Sequence, residues 1–220
     1  MTAPLCDLLL ATSNRGKLVE LRALLADLPI EIVSLAQALP NKPQAVEDGV
    51  TFRENALIKA RAAASATMMV TLAEDAGLEV DALGGRPGVR SARFSGEGAT
   101  DAANNAALLK ALEEVEDDQR AARFRCVMVL IDPWAEGAAK EIIVEGSCEG
   151  VIARAPRGGG GFGYDPLFLV DGYGRTMAEL GDDEKNRVSH RARAVAALRP
   201  ALVELCARRR ADAARVAGRS

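Results

Sequence analysis

Apolar positions recur along the first part of the chain with two different periods. Leu5–Ala11 is a short apolar run broken by one charge, Asp7, and it ends in Thr12-Ser13-Asn14. A run of this length bounded by polar turn residues predicts a buried strand. Leu18, Leu21, Leu24, Leu25 and Leu28 then fall at helical spacing, which predicts a helix over 17–28 that Pro29 ends. Ile30–Val33 reads as a second short strand, and 39–48, with two prolines, as a loop.

Thr51–Thr67 reads as a strong helix: Thr51 and Glu54 have the spacing of a capping box, and alanines fill the body. Val70–Ala73 and Leu78–Val80 read as two short strands flanking Glu74-Asp75-Ala76-Gly77. Residues 84–98, rich in glycine and arginine, read as a long loop. A helix is expected over 99–115, with Thr100 as its cap. Ala122–Ile131 and Ala139–Ile152 read as two long strands of a hairpin around Pro133–Gly137. A second glycine-rich loop, 157–165, precedes a short strand at 167–170. A polar helix start at 182–185 and a helical run over 187–215 complete the chain. Strands alternating with helices, plus one hairpin, predict an α/β fold with a mixed sheet. No repeat and no linker interrupts it, so 1–220 reads as one domain, with 206–220 expected to be a flexible C-terminal extension.

Composition narrows the partners. The 220 residues carry 28 basic and 31 acidic side chains, a net charge of −3. A net negative chain is a poor polyanion binder over its whole surface, but a local cluster can still hold a small anion. Aromatics are 4%, too few for a platform that stacks long single strands. The longest clean apolar run, Cys126–Ile131, is far too short to span a bilayer. Met1–Leu10 has no basic segment and carries Asp7 inside its apolar stretch, so no secretory signal is expected and the cytoplasm is the default. Neither nucleic acid nor a membrane is an expected partner. The four cysteines have no C-x-x-C spacing and there is one histidine, which leaves buried reduced thiols as the reading.

Four constellations could carry chemistry. Thr12-Ser13-Asn14-Arg15-Gly16-Lys17 joins a strand to a helix, where unpaired N–H groups and the helix dipole favour an anion; a plain capped helix reads equally well. Glu47-Asp48 and Glu74-Asp75 supply carboxylates of the kind that hold hard divalent cations, or are solvated turn residues. In Glu74-Asp75 one carboxylate can reach a site while its neighbour turns away. Gly158–Pro166 places Phe162, Gly163, Tyr164 and Asp165 in a glycine-rich turn, either stacking on a ring or filling the core. Lys185, Ser189, His190 and Arg191 form a basic helix start that runs against the helix dipole, which leans toward a ligand.

Taken together these segments resemble the inosine triphosphate pyrophosphatase, or Ham1-like, family. The match runs in order through LLLATSNRGKLVEL, EDGVTFRENALIKARAAA, LAEDAGLEVDALGGRPGVRSARFSGEGATDAANN, GGFGYDPLFLV and EKNRVSHR. The resemblance implies an elongated mixed sheet flanked by helices, two lobes around a central cleft, and a homodimer. It implies magnesium-dependent hydrolysis of ITP, dITP and XTP to the monophosphate and pyrophosphate. The family's phosphate loop falls on Thr12–Lys17, with Lys17 catalytic. Its metal carboxylates fall on Glu47 and Asp75, and its general base also on Asp75. Its base-recognition segment falls on Phe162, Gly163, Tyr164 and Asp165, and later substrate contacts on Lys185, His190 and Arg191. Glu74 stands where relatives often have aspartate, and Ala76, at a substrate-contact position, where many have serine. A pyrophosphatase acting on modified pyrimidine nucleotides and a nucleotide-binding protein without turnover are the rival readings. The paired carboxylates weigh against the second.

Overall fold

A computed structural model of the chain describes residues 6–40, 46–137 and 140–217. Leu5, Ala139 and residues 41–45 and 218–220, which belong to expected strands, a loop and the chain end, lie outside them.

Six strands form one sheet in the order β2-β1-β3-β4-β5-β6. β1 (Cys6–Leu10) pairs in parallel with β2 (Ile30–Ser34) and with β3 (Val70–Val80). β3, β4 (Ala121–Ile131), β5 (Glu141–Ile152) and β6 (Phe168–Val170) continue in antiparallel pairs. The expected mixed α/β sheet is therefore present, hairpin included. After the exposed Asp7, β1 is apolar to its end because both faces are covered: Leu8, Leu9 and Leu10 are all fully buried.

The two faces pack on different helices. α3 (Phe52–Thr67), capped by the Thr51–Glu54 capping box, lays Ala56, Ala60, Ala63 and Ala64 against Leu9, Ala73, Val127 and Val129. Alanine brings that helix close to the sheet. On the other face α6 (His190–Ala217) sets Ala194, Val195, Leu198 and Leu202 against Leu8, Leu10, Leu72, Cys126 and Met128, with Leu21 of α1 (Arg15–Leu24) in the same core. Strand side chains alternate, so Val70 and Leu72 of β3 lie on the face of α1 and α6 and Ala73 on that of α3. α2 (Leu35–Ala38) follows β2. A third core closes the β6 end of the sheet, where Leu108 of α4 (Asp101–Ala111) meets Phe124, Phe168 and Tyr164. All four cysteines are free and buried.

Several boundaries differ from the expectation. The two short strands around Glu74–Gly77 are one continuous strand, because both carboxylates find buried partners and pairing with β4 runs unbroken from Thr71 to Val80. α1 stops at Leu24 rather than Leu28; Arg199 of α6 donates to the Leu24 carbonyl and grips Asp27, closing the helix end in a turn. Residues 84–98 contain a 3₁₀ helix, Gly88–Arg93, held where the Ser91 hydroxyl donates to Gly88 O and accepts from Leu78 N. α4 is shorter than 99–115, although Thr100 caps it as expected. The run over 187–215 is two helices, α5 (Asp182–Val188) and α6, broken at extended Ser189, whose hydroxyl accepts from Ala192 N. α6 continues through residues 206–217, where Arg209 binds Asp132 at the end of β4 (2.8 Å).

Candidate active site

Between β1 and α1 the chain turns through Thr12-Ser13-Asn14. Thr12 N donates to Leu10 O, Asn14 N to the Thr12 hydroxyl, and Lys17 N to Asn14 Oδ1 (3.1 Å). Asn14 is thus the cap of α1, which starts at Arg15, two residues earlier than expected. Lys17 leans back onto the sheet, its ammonium 3.2 Å from Glu74 Oε1.

The alternation of β3 separates Glu74 from Asp75. Glu74 faces α6, where Arg191 grips it with Nε and Nη2, each 2.8 Å from a carboxylate oxygen, and the Cys126 thiol donates to it. Burial pushes the Glu74 carboxyl up, but the charges of Arg191 and Lys17 outweigh it and hold the group well below the usual carboxylate range. Asp75 faces α3. Its Oδ1 lies 2.7 Å from the Lys59 ammonium, and Asn55 donates to Oδ2. Lys59 also reaches Glu47 at 2.9 Å, so one ammonium bridges the two carboxylates expected to hold a metal. Burial raises the Asp75 carboxyl even with Lys59 beside it.

The glycine-rich segment divides its two aromatics between the alternatives left open above. Tyr164 is buried and donates its hydroxyl to Ser91 O (2.8 Å), so it belongs to the core wall. Phe162 stays at the surface of the cleft, its ring 5.0 Å from the Lys185 ammonium and 5.7 Å from the Arg191 guanidinium carbon. Asp165 Oδ2 ties the turn together, accepting from Phe162 N (2.9 Å) and from Lys185 (2.6 Å).

The basic helix start is not a set of free donors. Lys185 also pairs with Glu20 at 2.6 Å, and Glu20 pairs with Arg191. Arg191, fully buried at the first turn of α6, is engaged at all three nitrogens by Glu74 and Glu20, which removes its conflict with the helix dipole. His190 stacks on Phe124 (centroids 4.8 Å, interplanar angle 16°) and its Nδ1 is buried without a partner. Burial, then the Arg191 charge, pushes its proton affinity well below the usual histidine range, so the ring is neutral.

These groups meet in one cleft of about 490 Å³. Thr12, Ser13, Asn14, Lys17, Glu47, Asp75, Ala76, Phe162, Gly163, Tyr164, Asp165, Lys185, His190 and Arg191 all line it. Arg15 and Gly16 do not; Arg15 is exposed, and Gly16 lies under the Phe162 ring. Glu20 and Lys59 are among the residues that sequence reading passed over. A helical Glu20 three positions beyond Lys17 and a lysine in an alanine-rich helix look like solvated charges, and only the buried partners reveal them.

The carboxylate pair fits a divalent cation. The bridging ammonium shows that positive charge is accommodated between Glu47 and Asp75, and both offer hard oxygen donors. Among the described residues no third histidine, cysteine or acid joins them.

The sequence and the fold have close counterparts. The model of the Ham1 family matches residues 8–201. A dITP/XTP pyrophosphatase of Geobacter sulfurreducens is 53% identical over 192 residues, 87% of this chain and 94% of the relative. One from Geobacillus kaustophilus is 48% identical, over 87% of this chain and 92% of its own. The structure of a HAM1 protein from Coxiella burnetii superposes with a TM-score of 0.80 at 44% identity, covering 90% of this chain and 99% of that one. The Staphylococcus aureus Ham1 protein gives 0.79 at 36%, over 90% and 98%. Likeness of sequence and of fold thus runs over nearly the whole length of these proteins, and the chain belongs to the Ham1 family.

Proposed function

We propose that this protein hydrolyses non-standard purine nucleoside triphosphates, ITP, dITP and XTP, to the monophosphate and pyrophosphate. The observation that carries the reading is the convergence of three elements on one cleft: the turn at Thr12–Lys17, the Glu47/Asp75 pair and the Phe162–Asp165 segment. Relatives about half identical are named dITP/XTP pyrophosphatases.

In this reading the triphosphate lies along the turn, with Lys17 and the donors of Thr12, Ser13 and Asn14 binding its oxygens. Lys17 would exchange its bond to Glu74 for one to phosphate. Asp75 orients a water toward the α-phosphorus and takes its proton; its raised proton affinity suits a base. The bond from the α-phosphorus to the bridging oxygen breaks and pyrophosphate leaves. Magnesium held by Glu47 and Asp75 would offset the negative charge that builds on the phosphate oxygens. Phe162 covers the purine, and Gly163, Tyr164, Asp165 and Lys185 shape its pocket. Hypoxanthine and xanthine present an oxygen at C6, which N–H groups of His190 and Arg191 can meet; adenine presents an amine, leaving those donors unpaired. Arg191 keeps N–H groups beyond those spent on Glu74 and Glu20.

The reading extends to a cytoplasmic homodimer with two lobes about the cleft, acting on free nucleotides rather than nucleic acid or membranes. A net charge of −3 weighs against a nucleic-acid partner. No described helix is long and apolar enough to cross a membrane. The deciding experiment is pyrophosphate and monophosphate release from ITP, XTP, GTP and ATP, with magnesium and with chelator. Magnesium-dependent release from ITP and XTP, with GTP and ATP far slower, is the expected result. No release from any of the four overturns the reading. Light scattering on the eluting protein checks the dimer.

A further inference from the structure

We propose that Asp101, in the first turn of α4, is a positioning residue that sets the purine end of the cleft by holding the Gly163 peptide; the inference rests on the functional reading above. Gly163 N donates to Asp101 Oδ2 at 2.7 Å. One helical turn on, Asn105 Nδ2 donates to Gly163 O at 2.9 Å. Both polar groups of a single residue are thus held by one face of one helix.

Gly163 is where that matters. Its φ of +62° lies in the left-handed region that favours glycine, and it joins the cleft-facing Phe162 to the buried Tyr164. The Tyr164 side is anchored through its hydroxyl, so rotation at Gly163 is expressed at Phe162. Asn104 of the same helix takes the opposite wall: its Oδ1 accepts from Ser95 N and its Nδ2 donates to Ala92 O. α4 therefore sets the gap between the two loops that frame the base end.

Two observations separate this from ordinary helix stabilisation. Asp101 forms no ion pair among the described residues, and its side chain is spent on the loop while lining the cleft. Asn105 carries a buried Oδ1 with no partner, a cost incurred while its amide nitrogen serves Gly163.

The test compares Asp101→Ala and Asp101→Asn with the wild type, using inosine monophosphate and inorganic pyrophosphate as separate calorimetric probes of the two ends of the cleft. Loss of one charge-assisted hydrogen bond predicts an affinity for inosine monophosphate about tenfold weaker in Asp101→Ala. Pyrophosphate affinity is expected to stay within about twofold. Asp101→Asn, which keeps an acceptor oxygen but not the charge that favours a helix N-terminus, restores the base end. Unchanged inosine monophosphate affinity in Asp101→Ala, equal losses for both probes, or failure of asparagine to rescue overturns the proposal. Amide exchange at Gly163 in the ligand-free protein is the second measurement: protection should be lost in Asp101→Ala and kept in Asp101→Asn. If exchange is as slow in Asp101→Ala as in wild type, the clamp does not exist. A wild type that binds neither probe fails the functional reading, and the exchange measurement still decides the clamp.

Discussion

Gly16 and Phe162 are in contact: a Cβ built on Gly16 would lie 2.6 Å from Cδ1 of the phenylalanine ring. The turn after β1 and the glycine-rich segment before β6, whose contacting residues are 146 positions apart, therefore touch. Gly16→Ala is expected to push the ring aside rather than strain the backbone, because Phe162 sits on the cleft surface. The expected result is a melting temperature within about 2 °C of wild type, a shift of less than about 1 kcal/mol. KM for ITP should rise several-fold while kcat holds. Steady-state kinetics beside a thermal melt check this.

Glu74 compensates a fully buried guanidinium at two of its nitrogens, so removing it leaves Arg191 only Glu20, a carboxylate it already shares with Lys185. Glu74→Ala should lose about 3–5 kcal/mol of stability. Glu74→Gln, which keeps an acceptor oxygen, should lose less. Urea unfolding with both variants measures the difference. Equal stability of Glu74→Ala and wild type would show that Arg191 finds water or another partner.

Lys59 bridges Glu47 and Asp75 with one ammonium. Replacing it by methionine leaves two carboxylates facing each other across the cleft. The metal-free variant should therefore melt lower than wild type, and Mn²⁺, as a probe ion, should bind it at least several-fold more tightly. A manganese titration followed by electron paramagnetic resonance tests the second point without turnover.

His190 makes stability sensitive to acid. Below the ordinary histidine value of 6.5 the unfolded chain takes up a proton that the buried ring refuses. Folding then weakens as pH falls, by up to about 1.4 kcal/mol per unit. Glu74 acts in the same direction lower down: its contribution is complete above 4.5 and is lost as pH drops through its depressed folded value. His190→Phe, which preserves the stack on Phe124, should flatten the loss between pH 7 and 5.5. Urea midpoints across that range provide the check.

Arg209 ties the end of α6 to Asp132, a buried carboxylate at the end of β4. Arg209→Ala should lose about 2 kcal/mol and leave turnover unchanged, since neither residue lines the cleft. Limited proteolysis should cut wild type only beyond Arg210 and cut the variant earlier.

Much of this molecule was legible one segment at a time. The Thr51–Glu54 capping box, the Thr100 cap, the leucine spacing of α1 and the hairpin each depend on residues within a few positions of one another. The same locality explains the misjudged boundaries. A strand through Glu74-Asp75 looks broken when its carboxylates are imagined in water, and the helix break at Ser189 depends on one hydroxyl turning back to Ala192 N.

The chemistry of the candidate site follows the same division. Sequence alone determined which residue types stand where: the polar turn after β1, the adjacent carboxylates, the glycine-rich segment and the basic helix start. Only the tertiary structure decided their partners. Because β3 alternates between two covered faces, Glu74 meets Arg191, 117 residues away, while Asp75 meets Lys59 on the opposite helix. Glu20 and Lys59 acquired roles because burial makes an unpaired charge too costly, so each buried cation draws the carboxylate that sheet order and register bring within reach.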